Sequence, residues 1–117
     1  MAKQSRTLVS NITTAVADST YSYGVKKKGA GYHISGDGVH TVIYDLDSFV
    51  GSIKIQATLA QYPGDNDWVD VVDTIITGDS SMFLDNTYTR TFTGKFIWVR
   101  AAYNLQNGTI NEIRYNY

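Results

Sequence analysis

Residues 52–59 read SIKIQATL. Ile53, Ile55, Ala57 and Leu59 share one parity and Ser52, Lys54, Gln56 and Thr58 the other, the period-two alternation of a strand with one buried face. On a helix the same apolar residues would be scattered around the circumference, since neighbouring apolar positions there recur at three and four. The stretch therefore predicts a half-buried β-strand.

The flanking sequence continues in kind. Turn signals punctuate it at KKKGAG (26–31), SGDG (35–38), SFVG (48–51), YPGDND (62–67), TGDSS (77–81), FTG (92–94) and QNG (106–108). Short apolar or alternating runs lie between them, the spacing of an all-β sandwich or barrel. Composition agrees, with nine tyrosines and one proline, Pro63, while Glu112 is the single glutamate. Abundant Tyr, Thr, Val and Ile with little Glu, Ala and Leu favours strands over helices. The expected architecture is all-β, a single antiparallel β-sandwich, jelly-roll-like, of about eight strands over residues 21–117. Residues 1–20 are polar and weakly patterned apart from Leu8-Val9. They read as an N-terminal arm that lies on a neighbouring surface or starts an edge strand.

Two runs refine this picture. In KFIWVRAAY (95–103), Phe96, Trp98, Arg100 and Ala102 share one face and Ile97, Val99, Ala101 and Tyr103 the other. Both faces are largely apolar, so the strand is central and covered on both sides, or one face is covered by another subunit. In TINEIRYNY (109–117), Asn111, Ile113, Tyr115 and Tyr117 agree in parity while Ile110 does not, which a β-bulge near Asn111 would reconcile.

The chain has 117 residues, 43% of them hydrophobic, a net charge of −1 and no cysteine. That suits one core, excludes a disulfide framework and gives no reason to expect nucleic-acid or membrane-surface binding. No run is long enough for a signal peptide or a membrane span, so the expected site of synthesis is a cytoplasm.

Candidate chemistry is sparse. HISGDGVH (33–40) holds both histidines, and a two-residue Gly36-Asp37 turn would set His33 opposite His40. A metal needs three or four ligands, and this hairpin supplies two. His40 also shares parity with Val42, Tyr44 and Leu46, so a partly buried, hydrogen-bonded histidine is expected. Gly24 and KKKGAG lack the lysine and the strand-to-helix setting of phosphate loops and read as a solvated turn. An EF-hand begun at Asp65 fails, because Asp70 and Ile76 stand where glycine and glutamate are required. Asp65, Asn66 and Asp67 remain an oxygen-rich turn that could take calcium without a fixed motif, against the simpler reading of a polar turn.

Nothing marks a nucleophile or a carboxylate pair, and no enzyme and no cofactor are expected. Arg100, a cation inside an apolar strand, would hold a ligand carboxylate or, by the commoner pattern, pair or stack within the sheet. Lys95, Phe96, Trp98 and Arg100 hint at a base-stacking platform, but balanced charge argues against nucleic acid. The candidate ligand or interface contacts are Tyr62, Asp65, Asp67, Trp68 and Arg100. The sequons at Asn11 and Asn107 read as chance, with Asn107-Gly108 a hairpin turn.

Taken together, DGVHTVIYDLDSFVGSIKIQATLAQYPGDNDW (37–68) and GKFIWVRAAYNLQNGTINEIRYNY (94–117) resemble a pattern in small virion structural proteins of tailed bacteriophages, those of marine cyanophages above all. The shared pattern is an Asp-Gly-x-His-Thr turn and strand, Phe-x-Gly-x-Ile-x-Ile-Gln, a proline-containing loop ending Asp-Trp, Gly-x-Phe-x-Trp-x-Arg-Ala and Gly-x-Ile-x-x-Ile-x-Tyr. The resemblance implies a β-sandwich that assembles on a virion as a head decoration, fibre, neck or tail component. It carries over no catalytic residue. Its partners would be other virion proteins and copies of itself. Discoidin-like and other carbohydrate-binding jelly rolls share the Trp-ending loop and the aromatic-x-aromatic-Arg strand. A glycan, with Tyr62 and Trp68 beside the acidic turn, is therefore the alternative partner.

Overall fold

The computed structural model describes residues 5–13, 15, 21–29, 39–64, 66–79, 81–94 and 96–116. The described residues form seven strands, β1 (Ser5–Ile12), β2 (Ser22–Tyr23), β3 (Lys27–Lys28), β4 (Val39–Thr58), β5 (Val69–Gly78), β6 (Thr87–Thr93) and β7 (Trp98–Asn116). Every pairing is antiparallel, and all seven strands belong to one sheet. The all-β antiparallel class is thus the one the alternation predicts.

Two strands organise the molecule. β4 has 20 residues and β7 has 19, well beyond the usual five or six. They pair from Thr41 opposite Asn116 to Thr58 opposite Trp98. The register slips between Asp47 and Val50 and again between Val50 and Gly51, and Ser48, Gly51 and Gly108 all have positive φ there. SFVG and the Asn107-Gly108 pair, read from sequence as turns between strands, instead bend two strands that continue through them. Glycine is required at both points. A Cβ on Gly51 would strike the carbonyl of Asn104, and one on Gly108 the carbonyl of Ser48.

The bend divides the sheet into two halves that share β4 and β7. The first runs β1–β7–β4–β6, and the second has β2 and β3 beside β7, then β4, then β5. Val42, Tyr44, Leu46, Ile113 and Tyr115 from the first half join Ile53, Ile55, Ala57, Val99 and Ala101 from the second in one core cluster. The Tyr44 hydroxyl donates to the carbonyl of Thr74 across the fold at 2.9 Å. A single sheet folded over itself therefore produces the sandwich-like core. Each fully buried isoleucine contributes roughly 1.5–3 kcal/mol of transfer free energy to it.

Local expectations meet this frame at specific residues. Ile53, Ile55 and Ala57 are buried, but Leu59 is exposed, because β4 ends at Thr58, whose hydroxyl accepts from Ala60 N–H and turns the chain. The bulge near Asn111 is present, since Asp45 opposes Glu112 and Leu46 opposes Ile110, which sends both Ile110 and Ile113 inward. β1 is an edge strand on β7, and Leu8 and Val9 enter the core.

β5 carries a second irregularity. Ile53 opposes Ile76 and Ile55 opposes Val71, so residues 72–75 of β5 bulge out against Lys54 alone. Thr74 closes the gap. Its hydroxyl accepts from Ile55 N–H at 2.9 Å and donates to the Val71 carbonyl at 2.6 Å. The excess chain leaves Val72 and Ile75 exposed.

Candidate functional site

The outward parity of the second half-sheet gathers most of the chemistry. Along β7 it carries Trp98, Arg100 and Ala102. Along β4 it carries Lys54, Gln56 and Thr58, which oppose Ala102, Arg100 and Trp98 respectively. On the far side of β7, Tyr23 opposes Ala102 and Lys28 opposes Trp98. On the far side of β4, Asp70 opposes Gln56.

Arg100 is the centre of this face. Its guanidinium carbon lies 4.0 Å from the Tyr23 ring centroid and 4.3 Å from that of Trp68, so the cation sits in contact with both rings. Its Nε donates to Gln56 Oε1 at 2.9 Å. The amide of Gln56 donates in turn to Asp70 Oδ1 at 2.9 Å, and Lys54 Nζ reaches Asp70 Oδ2 at 2.9 Å. These two donors, Gln56 first, hold the Asp70 carboxyl below the ordinary aspartate range. Two more cation–ring contacts flank the centre, Lys54 over Tyr21 at 4.4 Å and Lys26 over Trp98 at 4.8 Å. Trp98 is oriented by its indole N–H, which donates to the Gln61 carbonyl at 2.9 Å. Ala102 is fully buried yet lies outside the core cluster, because side chains of this outer face cover it.

At the bend this face ends in an open groove of about 240 Å³ lined by Tyr21, Gly51, Ser52, Thr77, Gly78, Asn104 and Gln106. The hydroxyls of Ser52 and Thr77 lie 3.1 Å apart across β4 and β5. Tyr21 therefore belongs both to the groove wall and to the cation–aromatic row.

Of the five residues singled out from sequence, the structure brings two together, Trp68 and Arg100. Tyr62 is 86% exposed. Asp67 turns back on its own loop, where Oδ2 accepts from Gly64 N–H at 2.7 Å. Asp65 lies outside the described residues, as do Lys95 and residues 33–38 of the histidine hairpin. Sequence reading missed Tyr21, Tyr23, Lys26, Lys54 and Gln56 as a group. The period-two spacing of Tyr21 and Tyr23 and the outward parity of Lys54 and Gln56 are legible signals, but their meeting depends on register between distant strands.

His40 has a different setting. It is fully buried, with Nε2 on the Gly94 carbonyl at 2.5 Å and Nδ1 on the Tyr115 hydroxyl at 2.6 Å. A carbonyl only accepts, so Nε2 carries a proton, and a neutral ring then accepts the Tyr115 O–H at Nδ1. Phe92 stacks on the ring at 4.6 Å and 3°. Among the described residues no three His, Cys, Asp or Glu side chains gather as a metal site. His40 is thus pinned in the core by hydrogen bonds at both ring nitrogens.

No protein-family model matches the chain. No curated protein matches it either.

Proposed function

We propose that this chain is a non-enzymatic structural component of a phage particle that assembles through its β-sandwich with copies of itself or with other virion proteins. The observation that carries the reading is a concentration of exposed apolar side chains on β5 and the turn that follows it. Val69, Val72, Ile75, Met82 and Phe83 are all exposed there. They are half of the ten large hydrophobics exposed among the described residues, in a stretch of chain far shorter than half of it.

Local structure accounts for part of this exposure. The β5 bulge pushes Val72 and Ile75 outward, and the bulge itself blunts simple edge-to-edge strand pairing. Asp79 pins the following turn by accepting from Ser81 N–H, Ser81 Oγ and Met82 N–H. Exposed apolar side chains concentrated in one stretch suit burial against a complementary surface. The sequence resemblance to tailed-phage virion proteins supplies the particle as the setting. β1 already occupies the edge of its own sheet, so the N-terminal segment contributes to assembly through that edge.

Immunogold labelling of purified phage particles with an antibody to this chain tests the reading. Regular labelling at one position on the particle is expected. Particles that contain no such protein would overturn it.

A second reading is glycan capture, which could serve host attachment by the same chain. It is favoured by the tyrosine-walled groove lined with hydroxyls and side-chain amides rather than by the loop residues Tyr62 and Trp68.

A further inference from the structure

We propose that the outer face around Arg100 and the groove at its end form one site for an anionic saccharide, a chain of sugar rings bearing carboxylate or sulfate groups. The inference rests on the glycan reading and adds the charge class of the ligand and its location. It does not depend on assembly through β5.

Charge is the first argument. Among the described residues, the stacks and register positions of this face hold four cations, Lys26, Lys28, Lys54 and Arg100, with the carboxylate of Asp70 set among them and Asp67 next in sequence to Trp68. The chain as a whole has a net charge of −1, so positive charge is segregated to this face. A concentration of like charge on a flat surface draws an oppositely charged partner.

The groove decides which anionic partner. Ser52 and Thr77 offer hydroxyls, Asn104 and Gln106 offer amides, and Tyr21 offers a ring. Hydroxyls and amides both donate and accept, which matches the hydroxyls of a sugar, and an aromatic ring packs against the apolar face of a sugar ring. A single-stranded nucleic acid would instead need open ring faces for its bases. Here cations already lie over Trp98, Tyr23 and Trp68, which leaves the groove-lining Tyr21 rather than a row of open rings. A saccharide seated in the groove against Tyr21 can run along β4 and β7, where its anionic groups meet Lys54, Arg100 and Lys26.

Isothermal titration calorimetry of the intact chain tests this with four probes: a guluronate hexasaccharide, a heparin hexasaccharide, neutral maltohexaose and an oligothymidylate. Binding of one or both anionic saccharides is expected, tighter than maltohexaose and weakening as salt rises. Carboxylate and sulfate selectivity is read from the first two probes. Lys26→Gln, at an exposed position, and Tyr21→Ala in the groove should each weaken that binding about tenfold, the loss of one charge-assisted or ring contact. Unchanged affinity in both variants overturns the proposal. Maltohexaose bound as tightly as the anionic probes overturns the charge assignment and leaves glycan capture standing. Failure of all three saccharides overturns both, and tighter binding of oligothymidylate overturns the proposal in favour of nucleic acid.

Discussion

His40 and Tyr44 share one parity of β4, on either side of Val42, and show how buried polar atoms are handled in this core. Parity with Val42 and Leu46 places His40 at the apolar face from sequence alone. Its partners do not follow from sequence, because Tyr115 and Gly94 are 75 and 54 residues away. Tyr44 is fully buried, and desolvation by burial, partly offset by the charge of Arg90, raises its phenol well above the ordinary tyrosine value. The sign of the consequence follows from linkage. Below about pH 10 the phenol is protonated in both folded and unfolded chains, so its contribution is fully present. As pH rises from there towards the raised folded value, the unfolded chain ionises first and stability is lost. Urea unfolding across the alkaline range should show this loss in the native chain. Tyr44→Phe should start about 1 kcal/mol lower near neutrality, through the lost bond to Thr74, and fall less steeply above pH 10. Parallel alkaline slopes for the two proteins would remove Tyr44 as the cause.

At the scale of elements, strand type was more legible than strand length. SIKIQATL, the two-faced run around Trp98 and the bulge at Asn111 can all be read from parity. What parity misjudges is whether a glycine-containing turn signal ends a strand or bends it. SFVG and QNG have turn composition, yet in register they face each other across the β4–β7 ladder, with Val50 opposite Asn107. Each local signal is satisfied by a bend that its partner strand shares. Substitutions separate the two roles of glycine. Gly51→Ala and Gly108→Ala would each place a Cβ against a neighbouring carbonyl at positive φ, and should cost about 1–3 kcal/mol or more in chemical denaturation. At Gly64 an added Cβ would meet nothing nearer than Asp67 Oδ2 at 3.6 Å. Gly64→Ala should therefore stay within about 0.5 kcal/mol of the native chain. Equal losses at all three positions would argue against a shared bend.

For the whole molecule, folding one sheet over itself separates three surfaces: the core between the halves, the cation–aromatic face and the apolar β5 edge. The sequence shows the core residues plainly, since their alternation is local. The two outer surfaces stay hidden because each is assembled from segments whose proximity is set by long-range register. Tyr23, Trp68 and Arg100 come from three separate parts of the chain, and Val72 is exposed because of a bulge that composition does not signal. Assembly through the β5 edge is the central functional claim, and light-scattering mass measurement of the purified chain tests it most directly. The native chain is expected at a multiple of its 13.0 kDa protomer mass, and Val72→Lys combined with Phe83→Lys is expected to return it to one protomer without changing its circular dichroism. A native chain that stays at 13.0 kDa at high concentration, or a double variant that keeps the native mass, would contradict self-assembly through this edge.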